Sequence, residues 1–471
     1  MAVFNGKKTR IDLTRGPVFS TLLRFSLPIL LGCIVTQLYN VADSVVVGQF
    51  VGSDALAAVS ASGPVQNIIN MFLIGLSTGS NVVIAQAAGR REDDSLGKAI
   101  GTVAALTLSA AGIITVLGLL LTDPMLRLMG TPENIFADSA AYLTIIFIGA
   151  AGNLIYNMGS GALRGMGDSV WPFLFLTFCS LLNLALDFIA VVLFGWGVTG
   201  AAAATAISQF ISGAGIVWRL NHGGYPVRLT LRGIRFDPAE TKKVVSIGLP
   251  AAIQNIGNSI AAFCMMSYNN RFGSDFIAAN SIVTKIDDFS YIPTTALSTA
   301  VCTFVGQNIA ALEMDRVKKG INYTIYTLVA IGCAMCGIII ALRDVLPFAF
   351  TQNPAVAEIA AKGLTVLAFV ATFHGIDRCL VNAMRGAGKS VVPMITAQFG
   401  AFSRIPLGYF LAVRTGDYMG IFYSLLIASA LRTLAIAFYY YFGGWKSAVR
   451  QFQQKHSSAE LEKEDPGQAV R

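Results

Sequence analysis

The segment Arg164-Gly165-Met166-Gly167-Asp168-Ser169 is followed 221 positions later by a similar segment, Arg385-Gly386-Ala387-Gly388-Lys389-Ser390. Gly52-Ser53-Asp54 returns at the same separation as Gly273-Ser274-Asp275. Both echoes lie at the ends of long apolar runs, so the unit that repeats is a bundle of membrane helices. Two fused bundles of this kind are typical of a membrane carrier.

The composition indicates that the surface of the protein faces lipid. Of the 471 residues, 54% are hydrophobic and 13% are charged, whereas a soluble domain carries roughly 25% charged residues. About a dozen apolar runs are long enough to cross a bilayer core of about 30 Å. The net charge of +8 does not indicate nucleic acid, because the basic residues are sorted by loop. The seven cysteines lie within apolar segments, which argues against a disulfide framework.

The sequence predicts an all-α integral membrane protein with twelve transmembrane helices. We expect two six-helix lobes related by a pseudo-two-fold axis along the membrane normal. The predicted spans are 18–48, 55–83, 99–121, 137–158, 170–193, 199–219, 244–270, 277–306, 320–342, 357–381, 391–413 and 419–442. The predicted domains are an amino-terminal arm (1–17), an N-terminal lobe (18–219), a linker (220–243), a C-terminal lobe (244–442) and a tail (443–471).

The distribution of lysine and arginine between the loops predicts the orientation in the membrane. Twenty-four basic residues fall in the arm, the linker, the tail and alternate loops, against four in the remaining loops. Basic loops stay in the cytoplasm. We therefore expect a multi-pass protein of the cytoplasmic membrane with both termini in the cytoplasm.

The segment Gly386-Ala387-Gly388-Lys389-Ser390 ends like a phosphate-binding loop, which would imply transport driven by ATP. Such a loop needs a glycine five positions before Gly388, and position 383 is alanine. It should also follow a β-strand, and here an apolar helix precedes it. We interpret the segment as a turn between two spans, so that no ATP is involved and an ion gradient supplies the energy.

Acidic residues within the spans are the sharpest functional signal, because a charge at bilayer depth is costly. Asp43 lies late in span 1 and Asp187 lies in span 5. Asn183 is four residues before Asp187, on the same helix face, and span 6 adds Thr205. These oxygens suffice to ligate a small hard cation or to carry a proton. The alternative for each carboxylate is a hydrogen bond that packs two helices.

The second half does not repeat this pair, since Cys264 and Gly408 occupy the corresponding positions. It carries its own polar set, namely Lys285, Asp287, Asp288, His374, Asp377, Arg378 and Arg404. Lys285 and Asp288 are spaced to neutralise each other, and Asp377 is expected to pair with Arg378 or Arg404. Internal salt bridging and a substrate or second proton site remain equal alternatives for this set.

The order of these motifs resembles the multidrug and toxic compound extrusion (MATE) family over residues 15–445. The resemblance rests on Pro28, on Asp43-Ser44 with Gly48 and Gly52, and on the repeated Arg-Gly-x-Gly turn after spans 4 and 10. Asn183-x-x-x-Asp187 and the following Gly197-Val-Thr-Gly200-Ala-Ala complete it. The family consists of cation-coupled antiporters that export drugs and metabolites.

The resemblance also implies where the ion binds. In the DinF-like branch the ion site lies in the N-terminal lobe, and Asp43, Asn183, Asp187 and Thr205 match its positions. The NorM-like branch uses an acidic residue in span 7, and residues 244–270 contain none. Asp377 lies in span 10, where that branch also keeps an acid.

We therefore expect a monomeric efflux antiporter for small amphipathic, cationic organic compounds. It would be coupled to H⁺ or Na⁺, have no other cofactor, contact membrane lipids but not nucleic acid, and work by alternating access. The expected substrate cavity comprises Gln37, Tyr39, Lys285, Asp288, His374, Asp377 and Arg404. The main alternative is a flippase for lipid-linked precursors, which needs a cationic cavity for a pyrophosphate headgroup and is favoured by Lys285, Arg378 and Arg404.

Overall fold

The structure is a computed structural model that describes residues 9–50 and 53–445, with the side chains of 41–61, 64 and 231 excepted. The predicted ion-coupling side chain of Asp43, the first eight residues of the predicted arm and the tail from 446 onward lie outside the described part.

Within that part the chain forms twelve long α-helices, which confirms the predicted all-α membrane fold of two six-helix lobes. The helices of the first half are α1 Val18–Phe50, α2 Ser53–Arg90, α3 Asp93–Leu128, α4 Glu133–Gly165, α5 Val170–Asp187 and α6 Gly197–His222. Those of the second half are α7 Pro238–Asn269, α8 Gly273–Ala310, α9 Met314–Leu342, α10 Pro354–Gly386, α11 Val391–Gly408 and α12 Met419–Phe442.

Nine of the twelve helices are, within the described residues, long and apolar enough to cross a membrane by length and composition. The other three are α7, α8 and α11. Polar residues lower the hydropathy of these helices, for example Lys285, Asp287 and Asp288 in α8. Their place in the repeat nevertheless makes them spans.

The repeat extends to the backbone. Both ends of α4 recur in α10, and both ends of α5 recur in α11, with an offset of 221 residues. Gly167 and Gly388 adopt left-handed φ angles of 89° and 81° in the turn between these helices. Only glycine takes up such angles at little cost, which explains the second glycine of the Arg-Gly-x-Gly turn.

The first glycine of the same turn allows two helices to approach closely. A Cβ atom on Gly165 would lie 2.8 Å from the carbonyl oxygen of Asn81 in α2, and one on Gly386 would lie 2.4 Å from that of Cys302 in α8. Small residues permit such contacts between helices in lipid, where close packing replaces the hydrophobic effect.

Two compact units divide the chain. The first comprises residues 9–12 and Leu27–Ala252, and the second comprises Leu13–Ser26 and 253–445. The divisions within α1 and α7 fall next to Pro28 and Pro250, which lie inside the helices and remove a helical hydrogen bond. The lobes predicted at 18–219 and 244–442 stay predictions. Since α6 ends at His222 and α7 begins at Pro238, residues 223–237 between them lie within the linker predicted at 220–243.

Candidate functional site

Asn183 and Asp187 lie one turn apart near the end of α5, and both are buried, with exposed fractions of 3% and 0%. The side-chain amide Nδ2 of Asn183 donates to the hydroxyl Oγ1 of Thr205 on α6 at 3.4 Å. Because the amide nitrogen is used in this way, the carbonyl oxygen Oδ1 remains as an acceptor. It is buried and has no hydrogen-bond partner among the described residues. Three of the four predicted ion-coupling residues are therefore brought together where α5 packs on α6.

The backbone changes at this group. Directly after Asp187 the helix widens into a π-helical turn, Phe188–Leu193, a feature often found at functional sites. The second half contains a corresponding π-helical turn, Tyr409–Val413, directly after Gly408. The widened turn is thus shared by the two halves, whereas the carboxylate belongs to the first half alone. A buried carboxylate and a side-chain carbonyl oxygen are ligands that a hard cation prefers, and the carboxylate can also carry a proton.

Gln37 and Tyr39, predicted to line the substrate cavity, are half-buried side chains on α1. The oxygen Oε1 of Gln37 accepts from the amide of Asn40 at 3.5 Å.

Asp168, in the repeated turn, is the centre of a buried hydrogen-bond network. Its carboxylate is 0% exposed. One oxygen, Oδ1, accepts the backbone N–H groups of Val170 and Trp171 at 3.2 Å each, at the start of α5. The other, Oδ2, accepts from Thr9 Oγ1 at 3.2 Å, from Arg219 Nη2 at 3.2 Å and from the Tyr225 hydroxyl at 2.7 Å.

Arg219 is the cation of this network. Its guanidinium carbon lies 4.5 Å from the ring centroid of Trp171, which gives the charge an aromatic face as well as a carboxylate. Burial, followed by the negative charge of Asp168, raises the pKa of Tyr225 above its usual value. The network joins the start of α5 to the end of α6 and to the residues that follow it.

In the second half, Asp377 on α10 forms a buried ion pair with Arg432 on α12, with 2.6 Å between Oδ2 and Nη2. The predicted pairing of Asp377 with Arg378 or Arg404 was wrong. Arg378 follows Asp377 on the same helix, so it projects about 100° around the axis. It contacts α8 instead, where its Nε donates to the Tyr291 hydroxyl at 2.6 Å and its guanidinium lies 4.3 Å from the ring centroid.

The predicted pairing of Lys285 with Asp288 is not formed either. Both side chains are exposed, and the Lys285 ammonium lies 5.8 Å from the ring centroid of Phe350.

A cavity of about 150 Å³ lies among α7, α10, α11 and α12. Its polar lining consists of Asn258, His374, Arg404, Ser429 and Arg432. The His374 Nε2 and Ser429 Oγ atoms are 3.2 Å apart across it. His374 and Arg404 were predicted for a substrate site and are brought together here.

The MatE family model matches residues 28–189 and 250–410, one segment in each half. This chain belongs to the MATE family. It is 28% identical over 446 residues to the probable multidrug resistance protein YoeA of Bacillus subtilis, covering 93% of this chain and 96% of the relative. It is 26% identical over 373 residues to the FAD transporter of Shewanella oneidensis, covering 76% and 80%. A crystal structure of MATE in the bent conformation shares the fold with a TM-score of 0.85 at 23% identity, covering 96% and 99%.

Membership of the MATE family confirms the resemblance seen in the sequence. A MATE protein is a multi-pass membrane transporter of small organic substrates that is driven by an ion gradient, and it is not an enzyme.

Sequence reasoning missed four polar residues of the second half of this MATE protein, namely Asn258, Tyr291, Ser429 and Arg432. Arg432 had a clear signal, because it is the only charged residue in α12 and a charge in an apolar span indicates function. Asn258, Tyr291 and Ser429 had none, since single polar residues are common in membrane helices.

Proposed function

We propose that this MATE protein exports small amphipathic, cationic organic compounds by antiport against H⁺ or Na⁺, with alternating access of its two lobes. It belongs to the DinF-like branch and couples to the ion in its N-terminal lobe. It lies in the cytoplasmic membrane as a monomer with both termini in the cytoplasm. The predicted arm, lobes, linker and tail are its functional divisions.

One observation supports this ion site above the others: Asn183 Nδ2 bonds to Thr205 Oγ1 beside the fully buried carboxylate of Asp187. The bond turns the Asn183 carbonyl oxygen away from Thr205, and that oxygen is buried without a hydrogen-bond partner in the described part of the chain. A buried acceptor of this kind is costly unless it meets a proton donor or a cation. Asp43 completes the proposed site from α1, on the strength of the sequence alone.

The test is efflux of ethidium from proteoliposomes on which a pH gradient and a Na⁺ gradient are imposed separately. We expect one gradient to drive efflux by the wild-type protein. Asp187→Asn keeps the shape of the side chain and should abolish coupled efflux at unchanged expression. Asp138→Asn makes the same substitution at an exposed carboxylate of α4 and should leave efflux unchanged. Coupled efflux at the wild-type rate in Asp187→Asn would reduce Asp187 to a structural role.

A flippase for lipid-linked precursors is the second candidate function. It is favoured by Arg404 and Arg432, whose guanidinium groups line the cavity of the second half. Lipid-flipping and ethidium efflux measured in the same vesicles separate the two functions.

A further inference from the structure

The cavity of the second half has the opposite polarity to the proposed ion site of the first. Among the described side chains that line it, two are arginines, Arg404 and Arg432, and none is acidic. His374, Ser429 and Asn258 supply its remaining polar groups. A cationic substrate would be repelled here.

The repeat shows that one residue of the cavity, Arg404, occupies the place of a residue of the proposed ion site. Because α11 repeats α5 with an offset of 221 residues at both ends, Arg404 stands at the position of Asn183 and Gly408 at that of Asp187. The second half therefore replaces an amide and a carboxylate with a guanidinium and a bare glycine.

The arginines are only partly neutralised by neighbouring carboxylates. Asp377 meets Arg432, and Asp287 lies within electrostatic reach of Arg404 and Arg378. In the described part of the chain, Arg404 forms no ion pair within 4.0 Å. The Nε atoms of both arginines, Nδ1 of His374 and Oδ1 of Asn258 are buried there without hydrogen-bond partners. Such groups are costly to bury unless a ligand or water meets them.

The space around Arg432 is built into the fold. A Cβ atom on Gly400 would lie 2.6 Å from Cβ and 3.0 Å from Cγ and Cδ of Arg432, so the glycine lets this side chain lie along α11. Gly400 and Arg404 are one turn apart and share a helix face, which brings the two arginines to the same side of α11.

The size of the cavity limits what it can hold. A drug-sized ligand needs about 300 Å³ or more, and this cavity has about 150 Å³. It therefore suits one charged group rather than a whole substrate. Guanidinium groups bind carboxylate and phosphate oxygens through paired, charge-assisted hydrogen bonds, and these oxygens can accept the donors that lack partners.

We propose that this cavity binds the carboxylate or phosphate group of an organic anion, so that the substrates of this transporter include anions as well as cations. The inference rests on the proposed function only in that the chain transports small organic compounds. It does not depend on which ion drives transport.

The test is binding of phenyl phosphate to the full-length protein in phosphatidylcholine nanodiscs, measured by calorimetry without any gradient. Arg404→Gln should weaken binding by about 10- to 100-fold, the range expected for a hydrogen bond to a charged group. Arg414→Gln removes the same charge at an exposed position just beyond α11 and should leave binding unchanged. Gly400→Ala keeps every charge but crowds Arg432, and it should also weaken binding.

Absence of saturable binding to the wild-type protein would overturn the proposal, as would equal weakening in Arg404→Gln and Arg414→Gln. Because no gradient is applied, either result is distinct from a failure of ion-coupled efflux. Nanodiscs that also contain phosphatidic acid identify the source of the anion. Competition by this lipid shows that a headgroup enters the site, and unchanged affinity for phenyl phosphate shows that the site takes soluble anions; both results support an oxyanion site.

Discussion

The buried network around Asp168 gives the sharpest prediction on stability. Asp168→Ala removes a carboxylate that accepts five hydrogen bonds and forms an ion pair with Arg219. The guanidinium then stays buried without this carboxylate, because the Arg219 side chain is only 5% exposed. We therefore expect a loss of unfolding free energy rather than a local change in binding.

The magnitude follows from the burial of the pair. Removing one partner of a buried ion pair costs about 3–5 kcal/mol. The Trp171 face, 4.5 Å from the guanidinium carbon, offsets part of this, since a cation–π contact contributes about 0.5–2 kcal/mol. We expect a loss of about 3 kcal/mol, measured as a lower midpoint of chemical unfolding in detergent micelles. The unfolding midpoint of Asp168→Asn should lie between those of the wild type and Asp168→Ala, because its Oδ1 can still accept the N–H groups of Val170 and Trp171.

The repeat offers a matched control for this prediction. Lys389 occupies the same position in the second half, and in the described residues its side chain forms no ion pair or hydrogen bond. Lys389→Ala should change the unfolding free energy by no more than about 0.5 kcal/mol. A wild-type midpoint in Asp168→Ala, or an equal loss in Lys389→Ala, would refute the assignment of Asp168 as a structural centre.

Three further predictions concern Tyr225, Asp377 and Asp43. Folding raises the pKa of Tyr225, so the contribution of this group to the unfolding free energy is complete below its unfolded pKa of about 10 and is lost as the pH rises further. Tyr225→Phe should therefore flatten the fall of the unfolding midpoint at alkaline pH, and parallel curves for the variant and the wild type would contradict this. Asp377→Asn should cost about 3 kcal/mol through Arg432, and a double-mutant cycle with Arg432→Gln should show coupling; additive losses would argue against the pair. Asp43→Asn should shift the pH optimum of efflux and strongly reduce activity, measured as ion flux per substrate, whereas loss of coupling in Asp377→Asn alone would move the ion site to the C-terminal lobe.

The fold was accessible from the sequence because two independent signals agreed. The apolar runs gave the number of helices, and the repeated Arg-Gly-x-Gly turn gave their grouping. The same turn predicted equivalent helices, and α4 with α10 and α5 with α11 keep that offset at both ends. Helix ends were less accessible: α2 extends to Arg90, beyond the predicted span 55–83, because a helix continues past the apolar stretch that crosses the bilayer.

Contacts between side chains of different helices were the least accessible feature. Asn183 and Asp187 share a face of one helix, and that relation follows from spacing alone. The partner of Asp377 depends on how α10 and α12 are rotated against each other, and helical spacing does not contain this information. Proximity in the sequence favours Arg378 as the partner, whereas the partner in the fold is Arg432 on α12.

The differences between the two halves carry more functional information than their likeness. Backbone features survive in both, including the left-handed glycine of the turn and the π-helical turn after α5 and α11. In the second half, Arg404 and Gly408 occupy the positions that Asn183 and Asp187 hold in the first. Two substitutions between the halves, at one place in a repeated backbone frame, thus reverse the charge of that place. An ion site in the first half and an oxyanion site in the second, as proposed above, would require these opposite charges, whereas neutral residues would serve if only the backbone frame were required.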